Sequence, residues 1–317
     1  MGGGFIFRLK SGWGAQTAFI VILALTLFIP VIFPLTALCL AAPLLWLFVE
    51  GNWRKAMVLV TAAMLASLLS SMWLVLWMFF IATLIFSYLL GRGLQKQEIG
   101  HYAVNATLTW IVFILLLFVI AKVVGINIIT LFTQAMVQGI RSSPLLSSLE
   151  NLSGSGQGTT AMAQLVQLVL PGSIIILSTM VTLCNLAIVR FVQTVLHKPA
   201  SPVMRNFRVP RSVGIAYVVV LIALLTGFGS SSGIVSLLVN TASLVLTFLL
   251  SLQAAAVLWW IVCDKLKGVP ITVLAVIAVF CTILILVIFE EIFVLVGLVD
   301  VVFDIRARMS ASKSKHR

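Results

Sequence analysis

What most constrains this chain is an alternation repeated along it. Long apolar runs with almost no charge are separated by short corners in which Lys and Arg collect. Trp73–Leu90, Ala106–Ala121 and Ile234–Cys263 carry no charged side chain. About 20 consecutive apolar helical residues cross a hydrocarbon core about 30 Å thick. Composition agrees, because only 9% of the 317 residues are charged and 62% are hydrophobic, where soluble domains carry about 25% charged residues. The implied fold class is an all-α polytopic integral membrane protein with about eight to ten transmembrane helices. A β-barrel would alternate apolar and polar residues in strands of about ten, and no such pattern occurs.

The spacing of apolar runs and breakers predicts helices over 16–29, 35–49, 56–70, 72–90, 102–123, 163–192, 212–229, 233–262 and 270–288. The second and third are short for full spans. Pro30, Pro34 and Pro43 punctuate the opening. A proline inside a helix frees the carbonyl four residues back, which is tolerated in a membrane where protein or a cavity surrounds it. The N-terminal bundle is therefore the expected place for an interior cavity. The basic start is not followed by a small-x-small cleavage site, so the first segment is expected to remain as a membrane helix. Ala62, Ala66 and Ser70 form a small-xxx-small series expected to face a neighbouring helix.

The net charge of +12 does not point to nucleic acid, because the cations sit between apolar segments rather than on one face. Arg8 and Lys10, Arg54 and Lys55, Arg92 and Lys96, the Arg190–Arg211 loop, and Lys265 with Lys267 place thirteen basic residues on one side. Lys122 and Arg141 fall on the other. The positive-inside rule then makes the N-terminus cytoplasmic. Nine spans would leave Arg306, Arg308, Lys313, Lys315 and Arg317 outside. A reversal near Glu290-Glu291, with 292–305 returning as a short or re-entrant helix, brings the C-terminus back to the cytoplasm.

This gives a membrane bundle over 1–195, a basic cytoplasmic loop over 196–211, a second bundle over 212–305 and a basic tail over 306–317. Residues 124–161 form a non-cytoplasmic insertion. Within it Asn127, Thr130, Gln134, Gln138 and Arg141 recur at helical steps opposite Ile128, Phe132, Met136 and Ile140, the pattern of an amphipathic surface helix. Ser142 to Thr160 reads as a Ser/Gly linker. The insertion is either a lid or an idle surface helix. Arg205, Arg208 and Arg211, with Arg306 and Arg308 of the tail, are candidate contacts for anionic lipid or for a protein partner.

Enzyme signatures are missing: there is no HExxH, no CxxC and no phosphate-binding loop. No catalytic residue, metal ligand or cofactor is expected. The four cysteines, Cys39, Cys184, Cys263 and Cys281, read as small apolar residues. Asp300 and Asp304 lie four apart and either face one cation or pair with a base, Arg308 being four beyond Asp304. Glu290 and Glu291 either cap a turn in water or take a proton or ion role.

Two helices carry polar stripes. The sixth has Gln164, Gln167, Ser178, Thr182 and Asn185, with Pro171-Gly172 among them, and the eighth has Ser236, Asn240, Ser243, Thr247 and Ser251. Such stripes face protein or water rather than lipid. They serve either as interhelical hydrogen bonds or as the wall of a path for a small solute. Trp73, Trp77, Trp110, Trp259 and Trp260 read as interfacial anchors, while Trp46 and Trp53 flank the expected cavity.

Three stretches together resemble one family. They are Glu50-Gly51-Asn52-Trp53-Arg54-Lys55-Ala56, Asn206-Phe207-Arg208-Val209-Pro210, and the closing run from Gly297 to Arg308 through Asp300, Asp304 and Arg306. They look like the YybS-like family of polytopic bacterial membrane proteins, which has no established activity, and the likeness in layout spans nearly the whole chain. The N-terminal part is distantly similar to the substrate-binding (S) components of energy-coupling-factor transporters. That resemblance implies a ligand pocket within the first six helices, open to the outer face beneath the insertion. S components dock through an AxxxA-type face on the first helix, where this chain has Gly14 and Ala18.

Two functional expectations follow. One is a bacterial inner-membrane protein that binds or transports a small solute, drawing on Gln164, Gln167, Ser178, Thr182, Asn185, Asn240 and Trp46. The other is a non-transporting membrane scaffold whose basic loops recruit a cytoplasmic or membrane partner.

Overall fold

The computed structural model describes residues 13–28, 33–68, 73–96, 99–125, 157–195, 208–229, 233–265 and 290–306, with positions 127, 130, 134 and 138. Among them all regular structure is helical: α1 (Trp13–Phe28), α2 (Phe33–Val49), α3 (Trp53–Ser67), α4 (Trp73–Lys96), α5 (Ile99–Val123), α6 (Gln157–Val195), α7 (Arg211–Leu225), α8 (Ile234–Lys265) and α9 (Glu290–Phe303). Among the described residues, four segments are long and apolar enough to cross a membrane: Trp73–Lys96, Ile99–Val123, Leu168–Gln193 and Ile234–Ile261. The opening helices are short, as their prolines and the corner at Glu50 imply. The expected helix over 270–288 lies outside the described residues.

The chain divides into two compact units. One comprises Met1–Ala163 with Ile174–Ala200, the other Gln164–Ser173 with Ser201–Arg317. The division runs through α6 just after Pro171-Gly172, as well as through the 196–211 region. Residues 164–173 thus cluster with the C-terminal unit rather than with the N-terminal bundle expected over 1–195.

In the first unit α2 is the central element. Leu40, Ala41, Leu44, Leu45, Trp46 and Leu47 are all nearly inaccessible, which covers the whole circumference of the helix and is the mark of a core element. It runs parallel to α4. Ser87 Oγ donates to the Ala41 carbonyl at 3.2 Å, and two turns on Gln95 Nε2 donates to the Phe48 carbonyl at 2.7 Å. α4 extends past the expected stop at residue 90 to Lys96. Glycine in those added turns permits close packing: a Cβ on Gly91 would lie 2.6 Å from Phe48 Cβ, and one on Gly93 would lie 2.6 Å from Tyr102 Cβ. α4 then turns back as α5, and the pair encloses Phe79, Phe86, Trp110 and Phe113, with ring centroids 5.5–6.0 Å apart.

Trp110 therefore belongs to this aromatic core, at 6% exposure, and is not an interfacial anchor. Its position halfway along α5 is the reason. Trp73 is exposed and Trp77 donates its indole N–H to the Met64 carbonyl. The other face of α5 turns Val104, Leu108, Val112, Leu115 and Val119 outward, an aliphatic stripe suited to lipid. α3 buries Ala56, Val60, Ala63 and Ser67. Ala62 and Ala66 are exposed, so the expected small-residue face is turned about 100° per residue away from the packed one.

In the second unit α8 and α9 also run parallel. Gly297 of α9 lies against the backbone of Leu250, where a Cβ would collide with the carbonyl oxygen, and three residues further along each helix Asp300 meets Gln253. α9 therefore starts at the opposite end of the unit from the end of α8. The residues around Arg306 share an end with Arg208 and the start of α7. α7 packs on both helices, with Gly214 against Val301 and Leu298.

Of the insertion, Thr130, Gln134 and Gln138 are helical and exposed, and the Thr130 amide donates to Asn127 Oδ1 in the manner of an N-cap. The rest of the expected amphipathic helix lies outside the described residues. The linker expected over 142–160 is shorter than drawn, because α6 begins at Gln157.

Candidate functional site

The polar stripe of α6 does not act as one wall. Ser178, Thr182 and Asn185 lie in the first unit and are fully or almost fully buried. Gln164 and Gln167 fall in the segment that clusters with the second unit, and their side chains lie outside the described residues. Thr182 Oγ1 is 3.0 Å from Thr107 Oγ1 on α5. Each hydroxyl also reaches a carbonyl one turn back, Ala103 at 2.9 Å and Ser178 at 3.0 Å. Two protons thus serve three short contacts, a closed arrangement that ties α5 to α6. Asn185 Nδ2 donates to the Val181 carbonyl. Ser178 Oγ and the Trp110 indole N–H are buried without a partner among the described residues.

The stripe of α8 serves the turn before it. Ser236 Oγ and Asn240 Nδ2 both donate to the Gly229 carbonyl, at 2.7 and 3.0 Å, and Asn240 also donates to the Ser236 carbonyl. The chain between α7 and α8 ends in this bond set, which fixes the hairpin. Asn240 is therefore a turn-holding residue within the second unit.

Trp46 has a different setting. It lines a partly open cavity of about 170 Å³ in the first unit, with Gly14, Ala18 and Ile22 of α1, Cys39 and Pro43 of α2, and Val189 of α6 among the walls. The walls are almost wholly apolar. The cavity lies beside Pro43, which sits inside the continuous helix α2. Its α2 residues sit level with the last turns of α4, so it belongs to the end of the unit that carries Arg54, Arg92 and Lys96. Lys122 stands at the far end of α5, about 35 Å from Ile99 at 1.5 Å per residue. The insertion leaves from that far end, so this cavity is not the pocket expected beneath it. Trp53, expected to flank the cavity, is exposed at the start of α3.

The most developed polar constellation is one that stripe-reading missed. Asp300 and Arg306 form an ion pair at 3.0 Å, with side chains only 1% and 4% exposed. Arg306 Nε adds a second contact to the same carboxylate oxygen at 3.1 Å. Gln253 of α8, 2% exposed, donates Nε2 to that oxygen at 2.6 Å and accepts the Val209 amide on Oε1 at 3.0 Å. One amide side chain thus links the backbone before α7 to the carboxylate of α9. Around the outside, Arg208 reaches Asp304 at 2.9 Å with both groups partly exposed. Asp304 has left the helix, with φ 48°, and this turn folds Arg306 back onto Asp300.

Two expectations change here. Arg306, expected among the cations that meet lipid or a partner, is buried against Asp300, because the left-handed turn at Asp304 points the chain inward. Asp304 is paired with a base as one reading held, and the base shown is Arg208, brought close from 96 residues away. Arg205 and Arg308 lie outside the described residues, and Arg211 is exposed at the start of α7. The only advance signal for Gln253 was an amide inside an otherwise apolar run.

Val209 before α7 and Asp300 of α9 thus meet through Gln253. The clamp closes three helices at one end of the second unit, and its groups are satisfied by one another. Comparison with curated proteins and with solved structures finds no match to the chain. A family profile described as a predicted membrane protein family, DUF2232, matches residues 17–301, reaching across both units and Gln253 and Asp300 of the clamp. On that match, the chain belongs to the DUF2232 family of predicted membrane proteins.

Proposed function

We propose that this protein is a non-catalytic membrane scaffold, rather than a carrier of a polar solute. The supporting observation is the use made of its intramembrane polar groups. Thr182, Asn185 and Asn240 are hydrogen-bonded within their own unit, and none of them lines the cavity. A polar solute leaving water needs several convergent partners, since each unmet group costs roughly 1–3 kcal/mol. In this reading the basic ends face the cytoplasm of a bacterial inner membrane. Arg54, Arg92, Lys96 and Arg211 are exposed there to a cytoplasmic or membrane partner.

The S-component-like alternative, binding of a polar solute by the α6 stripe, has less support, because the stripe is split between units. Cysteine accessibility separates the two. With the native cysteines replaced by alanine, single cysteines at 178, 182 and 185 are treated with a hydrophilic, membrane-permeant thiosulfonate. The scaffold reading expects labelling at least 100-fold slower, as an order-of-magnitude threshold for a dry helix interface, than at Arg54→Cys. Comparable rates at 178 or 182 would mean a watery path and end the proposal.

A further inference from the structure

Arg54 and Arg92 share an arrangement that charge counting alone does not explain. Each guanidinium lies over an aromatic ring of its own helix, Arg54 over Trp53 at 5.6 Å from the ring centroid and Arg92 over Tyr88 at 5.2 Å. All four side chains are exposed. The Tyr88 ring is braced in turn by an edge contact with Phe48 at 5.7 Å. Stacking occupies one face of a guanidinium and leaves its N–H edge open to an acceptor. Among the described residues, no carboxylate forms an ion pair with either arginine.

The two stacked pairs stand on one face of the first unit. α3 and α4 pack together across a short connection, and the Trp77 indole bonded to the Met64 carbonyl sets their register. Arg54 precedes Met64, and Tyr88 follows Trp77, by about 15 Å along each axis at 1.5 Å per residue, so both stand at one level of an antiparallel pair. At about 100° per residue, Arg54 and Met57 lie about 20–80° round from Met64, and Ile81, Ile85, Tyr88 and Arg92 lie about 20–80° round from Trp77. In antiparallel helices the same sense of rotation brings both sets to the same side. Arginines thus top this face, their rings come next, and the exposed Met57, Ile81 and Ile85 continue it along α4, which is apolar enough to cross a membrane.

That order matches a phospholipid standing in a leaflet, with aromatic rings at headgroup level. We propose that the α3–α4 face binds an anionic phospholipid, its phosphate held by Arg54 and Arg92 and its acyl chains lying along Met57, Ile81 and Ile85. Guanidinium edges match phosphate oxygens through paired N–H bonds. A zwitterionic headgroup sets its own ammonium against the two cations and is disfavoured. A soluble phosphate meets the arginines but gains nothing from the apolar surface below them. The proposal rests on the scaffold reading only in naming one membrane partner for its basic ends, and the wetness of the α6 stripe does not bear on it.

The test titrates the full chain in detergent micelles with phosphatidylglycerol or phosphatidylcholine of the same acyl chains, and counts retained lipid by native mass spectrometry. Phosphatidylglycerol is expected to bind about 25-fold more tightly, about fivefold for each of the two arginines beside an anionic headgroup. Arg54→Ala and Arg92→Ala should each lower that preference about fivefold, and the double variant should remove it. Arg211→Ala, at an exposed cation of the second unit, should leave it unchanged. Ile85→Ser should weaken both lipids alike by removing apolar contact. All these side chains are exposed, and circular dichroism checks that each variant keeps its helices. Equal binding of the two lipids by the native chain would overturn the proposal. An equal loss in Arg211→Ala would mean diffuse attraction to any cation and would overturn the site. Displacement of the lipid by millimolar glycerol phosphate would mean a soluble anion is the ligand and would overturn the lipid assignment.

Discussion

The ion pair between Asp300 and Arg306 allows a demanding test. Both side chains are almost wholly buried, and the carboxylate also receives Gln253. At 3.0 Å, two unit charges attract by roughly 5 kcal/mol at an effective dielectric constant of about 20. That attraction is offset by several kcal/mol lost when each ion leaves water. Net stability from the pair is therefore small, while the cost of breaking it is large. Asp300→Leu leaves a buried guanidinium and the amide of Gln253 without their acceptor, and about 3–5 kcal/mol should be lost. Arg306→Met should cost a similar amount by stranding the carboxylate. The double variant removes both charges, and its stability should return to within about 2 kcal/mol of the native chain. The coupling is thus about 4–10 kcal/mol, far above the about 0.5 kcal/mol within which independent sites add. Reversible unfolding in mixed micelles, followed by circular dichroism across the double-mutant cycle, measures it. Additive losses in the double variant would refute the buried clamp.

Four further outcomes are expected. Arg208→Ala should cost less than about 1 kcal/mol, vanishing at high salt, because its bridge to Asp304 is exposed; a loss as large as that of Asp300→Leu would contradict the division into inner and outer pairs. Gly297→Leu should separate α8 from α9 and cost at least the roughly 1–3 kcal/mol of an overpacked contact, read as a lowered unfolding midpoint. Asn240→Ala should cost about 1 kcal/mol by removing one of the two donors to the Gly229 carbonyl, with faster amide exchange in residues 226–229. Thr107→Val combined with Thr182→Val should change stability by no more than about 1.5 kcal/mol, since membrane hydroxyl bonds average about 0.6 kcal/mol.

Much of the local structure was legible because it depends on short-range chemistry. Prolines and the Gly51 corner set the short opening helices, and apolar length set the long ones. Faces were harder to read. α2 and α5 are apolar around their whole circumference, so nothing in their periodicity says which side meets protein and which meets lipid. Trp110 of α5 therefore sits in the core rather than at an interface, and on α3 the exposed Ala62 and Ala66 lie beside the packed Ala63 and Ser67. Small size permits a close approach between helices, but it does not specify one.

The sequence by itself determined the class of protein, the segregation of basic residues, and the weak point in α2, since hydropathy, charge and a missing N–H act where they stand. Only the tertiary structure decided partners. Asp304 met Arg208 from 96 residues away, Arg306 turned inward, and one glutamine in an apolar run became the link among three elements. Those outcomes rest on which helices run parallel and on where one residue adopts a left-handed turn. Pairing at long range is fixed by packing that no single segment contains.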